Sequence, residues 1–204
     1  NKKFILASSS NSRYKILKKN NLNFLKKKPT CNEELIKKKL NKDNKSPIQI
    51  VKLLAKEKAK SINFKYPKQL VIGCDTIVLF NDKIMDKAKD FKSAKKKIKK
   101  LSGKEHKIIS AISIFKNKKQ IWCFTQTTKV KIRKLSTKNI NHYINICGEE
   151  ILQSSGCYQI ESCGPIIIEN IKGDFFNVMG FPLFPFLAFL KKLDTKQWTR
   201  KNFM

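Results

Sequence analysis

The chain has 204 residues, of which 45 are Lys or Arg and 15 are Asp or Glu, for a formal net charge of +30. Its 41% hydrophobic content supplies a core and excludes a disordered chain, and no run reaches the roughly 18 apolar residues that a membrane-spanning helix needs. Only Arg13, Arg133 and Arg200 are arginines; the remaining basic residues are lysines, which share A/T-rich codons with the abundant Ile and Asn, so genome composition accounts for much of the charge.

The elements follow from periodicity and punctuation. Residues 3–7 read as a short apolar strand, 8–12 as a polar turn, and 13–19 as a helix through Tyr14, Ile16 and Leu17. Residues 34–45 are Lys-rich and predict an exposed helix and turn. Pro47 opens a further helix with Ile48, Val51, Leu54 and Ala55 on one face. Residues 69–80 are apolar on both faces and predict a central strand. The stripe Phe91, Ala94, Ile98, Leu101 predicts a helix that Gly103 ends. Residues 107–115 and 120–133 read as two antiparallel strands joined at 116–118. Ser136 caps a helix through Ile140 and Tyr143, 166–171 is a strand, and 184–193 is the last helix. Alternating strands and helices predict an α/β fold with a mixed sheet, a single domain over 1–204.

The first ten residues hold four apolar side chains in a row, too few for a signal peptide, so a cytoplasmic protein is expected. Six cysteines form no C-x-x-C pair and are expected to be reduced. With only His106 and His142, a His-rich zinc site is excluded and a Ser-His-Asp triad is not expected.

Four places can carry chemistry. Ala7 to Arg13 (ASSSNSR) joins a strand to a helix, where free N–H groups, hydroxyls and an arginine suit a phosphate, or where a serine simply caps the helix. It is not a P-loop. Asp75 stands alone in the apolar run LVIGCDTIVLF; a carboxylate there needs a cation, a metal or a raised pKa, unless it caps a strand end. Lys58 lies near the apolar face of its helix and Lys87 follows a hairpin turn at Asn81-Asp82, though composition cannot select them from so many lysines. Gly156 to Glu161 and Gly173 to Pro182 bring glycines, carboxylates and aromatics that could wall a base pocket.

Together these segments resemble the Maf family, the septum-formation-inhibitor-like nucleoside triphosphate pyrophosphatases. The family's L-A-S-x-S-P-x-R appears as Leu6 to Arg13, its D-E as Asn32-Glu33, and its L-A-x-x-K-A as Leu54 to Ala59. Its I-G-x-D-[TQ] is Ile72 to Thr76, and its K-P-x-[DE] is Lys87 to Asp90. The stretch ending in S-G-x-x-H runs to His106, and the Gly-Tyr and Asn-Gly-Pro segments lie between Gly156 and Leu183. Asn11, Asn32 and Ala88 depart from the pattern.

The resemblance implies two lobes around a central nucleotide-binding cleft, as in the Maf and ITPase folds. It also implies hydrolysis of a nucleoside triphosphate to the monophosphate and pyrophosphate with Mg2+ or Mn2+. Ser8 and Arg13 would bind phosphates, and Lys58 and Lys87 would hold phosphates and offset developing charge. Asp75 would be general base or metal ligand, with Glu33 as second carboxylate for metal or water. Ser12, Thr76 and Glu161 occupy the positions that separate subgroups: Thr76 resembles the dTTP/UTP subgroup, Glu161 the 7-methyl-GTP subgroup, and Ser12 neither. The implied partner is the nucleotide, with neither a membrane nor nucleic acid; a homodimer and a link to cell-division arrest are further implications. The competing reading is a nucleic-acid-binding or cell-division regulatory protein without catalysis. Against it, the lysines are spread through every segment with no aromatic–basic repeat.

Overall fold

A computed structural model describes residues 3–194; the expected domain of 1–204 extends beyond them at both ends. The fold is a mixed seven-stranded sheet flanked by helices on both faces. Strand β1 (Phe4–Ala7) leads to helix α1 (Asn11–Lys19), strand β2 (Phe24–Lys27) and helix α2 (Glu33–Lys42). Helix α3 (Pro47–Asn63) precedes β3 (Val71–Phe80), β4 (Lys83–Met85) and α4 (Phe91–Leu101). The long hairpin β5 (Glu105–Lys116) and β6 (Lys119–Ile132) leads to α5 (Thr137–Cys147), two 3-10 turns, β7 (Ile168–Lys172), the short α6 (Phe175–Val178) and α7 (Leu183–Asp194). The strand order is β2-β1-β3-β5-β6-β7, with β4 also on β3. No described helix is long and apolar enough to cross a membrane.

Local chemistry explains these elements. Ser46 and Gln49 cap α3 reciprocally with Pro47 in its first turn; Asp90 with Ser93 and Ser136 with Asn139 do the same for α4 and α5. Asn81-Asp82 and Asn117-Lys118 all have positive φ, as two-residue hairpin turns require. Strands β2 and β4 are additions to the sequence reading. Two of the four β2 residues are lysines and β4 has three residues, so neither shows a usable alternation.

The two faces of the sheet differ. On one, α3 covers Ile5, Ala7, Val71, Ile77, Leu79 and Ala111 through Val51, Ala55, Ala59 and Ile62. On the other there are two clusters. Phe4, Leu6, Ile72 and Ile112 meet Ile16 and Leu17 of α1 and Phe181 and Phe186 at the C-terminal end; Val78, Phe80, Ile108 and Val130 meet α4 and α5. A polar row separates them, because Thr76 pairs in register with Ser110 and Ser110 with Gln126.

One expectation fails. Cys147 and Cys163 are joined in a disulfide, while Cys31, Cys74, Cys123 and Cys157 are free. The fold brings the end of α5 and the second 3-10 turn together, with Cα atoms 6.1 Å apart, a closeness that a separation of 16 residues does not advertise.

Candidate active site

The site is a gap in the sheet. On one edge of β3, β1 pairs with Val71, Ile72 and Gly73, and β4 pairs with Val78, Leu79 and Phe80. Strand β5 occupies the other edge throughout. Residues 74–77 are therefore left without a strand partner on the first edge, and the main cleft, with a cavity volume of about 660 Å³, opens there. The turn after β1 and the start of α1 point into it, as expected where a strand order switches sides.

Asp75 lies in this gap, 5% exposed. Its side chain is on the α3 side, where Gly73 allows a close helix approach: a Cβ at Gly73 would stand 2.2 Å from the Ala55 carbonyl oxygen and 2.5 Å from the Ala59 amide nitrogen. That approach delivers Lys58, 6% exposed, whose Nζ lies 2.7 Å from Asp75 Oδ1 and 2.9 Å from Glu33 Oε2. Burial on its own would push the Lys58 ammonium down, but the Asp75 and Glu33 carboxylates reverse this and hold its pKa above the ordinary lysine value. Lys58 is thus a fixed cation at neutral pH. Asp75 Oδ2 is buried and has no hydrogen-bond partner. Such an atom is costly unless something completes it.

Arg13, 8% exposed, is a clamp. Its Nε donates to the Gly180 carbonyl at 2.9 Å, one terminal nitrogen to Ser8 Oγ at 3.3 Å and the other to Thr76 Oγ1 at 3.0 Å. Two of its five N–H groups remain for a ligand. Ser8 Oγ also accepts from the Ser10 amide, and Ser10 caps α1 by accepting from the Arg13 amide. Thr76 faces away from Asp75, and its hydroxyl also meets Ser110 Oγ at 2.9 Å. The Thr76 hydroxyl is thus tied to the orientation of Arg13.

The structure brings Ser8, Ser12, Arg13, Glu33, Lys58, Asp75, Thr76, Lys87 and Glu161 to one cleft. Lys87 is exposed at the rim and Glu161 is exposed on the far wall. Asn32, where the family has Asp, lies outside the cleft lining and caps α2 by accepting from the Leu35 amide, a task Asn performs as well as Asp. Ala88 packs in the core.

Sequence reasoning missed Lys37, Glu150, Gln153 and Ser154 among the lining residues. One signal was available for the wall. Between Lys138 and Lys172 the chain contains no Lys or Arg, yet it carries Glu149, Glu150, Glu161 and Glu169. In a chain with 45 basic residues, so long a gap marks the one wall that differs from the rest. Five of the 15 acidic residues line the cleft, against five of the 45 basic ones, so the net charge is not concentrated there.

A mixed sheet split by a polar row, with a paired lysine and aspartate in a strand gap beside a capped helix N-terminus, defines an α/β protein built to hold an anionic ligand. The chain belongs to the Maf family: the family model for Maf-like protein matches residues 3–193. It is 39% identical over 93% of its length to the 7-methyl-GTP pyrophosphatase of Bartonella quintana, covering 94% of that protein. It is 33% identical to the 7-methyl-GTP pyrophosphatase of Brucella abortus, over 93% of this chain and 96% of that one. With the nucleoside triphosphate pyrophosphatase of Granulibacter bethesdensis the identity is 30%, again over 93% and 96%.

Proposed function

We propose that the protein hydrolyses a nucleoside triphosphate between its α- and β-phosphates, releasing the monophosphate and pyrophosphate. The observation that carries this is Asp75, a residue of the cleft lining with one oxygen held by Lys58 and the other buried without a hydrogen-bond partner. A water placed at Oδ2 gives up a proton to the carboxylate as its oxygen attacks the α-phosphorus, and the bond to the bridging oxygen breaks with pyrophosphate as leaving group. Lys58, kept protonated by its two carboxylates, fixes Asp75 and offsets charge on the transferring group. The amides at the start of α1, the remaining Arg13 donors, Lys87 and Lys37 hold the phosphate chain.

A divalent cation suits the same place. The orphaned Asp75 oxygen and the nearby Glu33 carboxylate, with substrate phosphate oxygens, form the kind of oxygen set that Mg2+ or Mn2+ accepts. When bound it would supply charge neutralisation and a more acidic water.

The wall between Lys138 and Lys172 supports a base carrying positive charge. Glu150 and Glu161 face the cleft there without a basic neighbour in sequence, an arrangement that suits 7-methylguanine better than a neutral base. Two of the three relatives above carry the name 7-methyl-GTP pyrophosphatase, and the third is named for nucleoside triphosphates in general. The test is a panel of canonical and methylated triphosphates with magnesium or manganese, measuring pyrophosphate. Asp75→Asn is expected to lower the rate by at least about 100-fold. Full activity in that variant overturns the role of Asp75, and no pyrophosphate from any nucleotide overturns the enzymatic reading.

A further inference from the structure

Beyond the residues at the gap, the far wall of the cleft has a support that the reaction scheme does not use. Residues 148–164 make this wall, and nearly all of their hydrogen bonds stay within the segment or reach α5. Tyr143 Oη donates to the Cys157 carbonyl, Gln159 Nε2 to the Glu150 carbonyl, Ser162 Oγ to the Glu150 carboxylate, and the Gly164 amide to the Gln159 carbonyl. The exception is His106 on β5, whose Nε2 lies 2.6 Å from Tyr158 Oη. Among the described residues it is the one hydrogen bond from residues 148–164 to the sheet; the chain is next fastened at Ile167, whose carbonyl accepts from the Arg133 amide, and through β7 on β6.

Both partners are buried, His106 at 2% and Tyr158 at 3% exposed. The Tyr158 ring is seated closely: a Cβ on Gly156 would stand 2.7 Å from its Cε1. Tyr158 lines the cleft and is followed by Gln159 and Glu161, which line it too. Asp75 sits on the sheet and Glu161 on the wall, so their spacing depends on how the wall is fastened. Ile151, Cys157 and Ile160 pack against the same core, but apolar contacts are non-directional and set no register.

We infer that His106 is a positioning residue for base recognition: through Tyr158 it sets the wall that carries Gln159 and Glu161 at a fixed distance from the phosphate-binding end of the cleft. This rests on the pyrophosphatase reading, in which the wall meets the base. Loss of the bond leaves chemistry at Asp75 intact and loosens the grip on the base.

The test uses Tyr158→Phe, which removes one oxygen, and Gly156→Ala, which displaces the ring. Each is expected to raise KM for 7-methyl-GTP about tenfold, the cost of one buried hydrogen bond, with kcat within about twofold. The preference for 7-methyl-GTP over GTP shrinks by a similar factor. His106→Gln, whose amide nitrogen reaches where Nε2 was, keeps KM near that of the unaltered protein, whereas His106→Leu behaves as Tyr158→Phe. Amide hydrogen exchange over 154–164, which needs no substrate, rises in Tyr158→Phe and His106→Leu. Unchanged exchange in Tyr158→Phe overturns the proposal whether or not any nucleotide is cleaved. Unchanged KM, or a fall in kcat alone, overturns it for an active enzyme. An unaltered protein that cleaves no nucleotide overturns the pyrophosphatase reading instead.

Discussion

Lys58 holds two carboxylates at once, so it is the member of the trio that cannot be spared: without the lysine, Asp75 and Glu33 are left beside each other with Asp75 buried. Glu161 is different, because it is exposed on the wall and its removal leaves the gap untouched. Glu161→Gln is expected to lower kcat/KM for 7-methyl-GTP about tenfold while leaving that for GTP nearly unchanged, as steady-state kinetics on both nucleotides will show. His106 sets a pH limit on stability. Burial, only partly opposed by Glu105, pushes its pKa down from 6.5 to about 4. The unfolded chain therefore takes up a proton between these values that the folded chain refuses. This contribution is fully present above about pH 6.5 and is lost as pH falls to about 4, on the order of 3 kcal/mol. Urea midpoints measured across that window will decline with pH, and His106→Gln will flatten the slope.

At the scale of elements, the contact of α3 with β3 makes the site. Gly73→Ala would drive a methyl group into the Ala55 carbonyl and the Ala59 amide, so the helix must lift. The expected loss is about 3 kcal/mol, read as a lower thermal midpoint, with activity falling further because Lys58 rides on the displaced helix. Much of this level was legible beforehand. The apolar stripes of α3 and α4, the buried β3 run and the hairpin of β5 and β6 all follow from periodicity, since burial on one face imposes a pattern. Strands β2 and β4 were not legible, because they are held by neighbours rather than by their own alternation. Asp75 was legible as a lone acid in an apolar run. Lys58 stood near the apolar face of its helix, but only the resemblance singled it out among so many lysines, since its burial depends on Gly73 fifteen positions away in the chain; the bond from Arg13 to the Thr76 hydroxyl needed the fold. The Cys147–Cys163 pairing needed the fold itself.

For the whole molecule, the net charge of +30 belongs mostly to surfaces away from the cleft. It still acts at long range on a substrate with several negative charges. The value of kcat/KM is expected to fall on the order of tenfold as ionic strength rises from about 0.01 to about 0.15 M, with kcat nearly constant. The run without lysine or arginine between Lys138 and Lys172 adds a direction to that pull. On the proposed function, a nucleotide drifting toward the cleft would feel a torque, its polyphosphate repelled by Glu150 and Glu161 and drawn to the start of α1. It would enter tail first toward Asp75, and collisions that would seat it backwards would be turned around before contact.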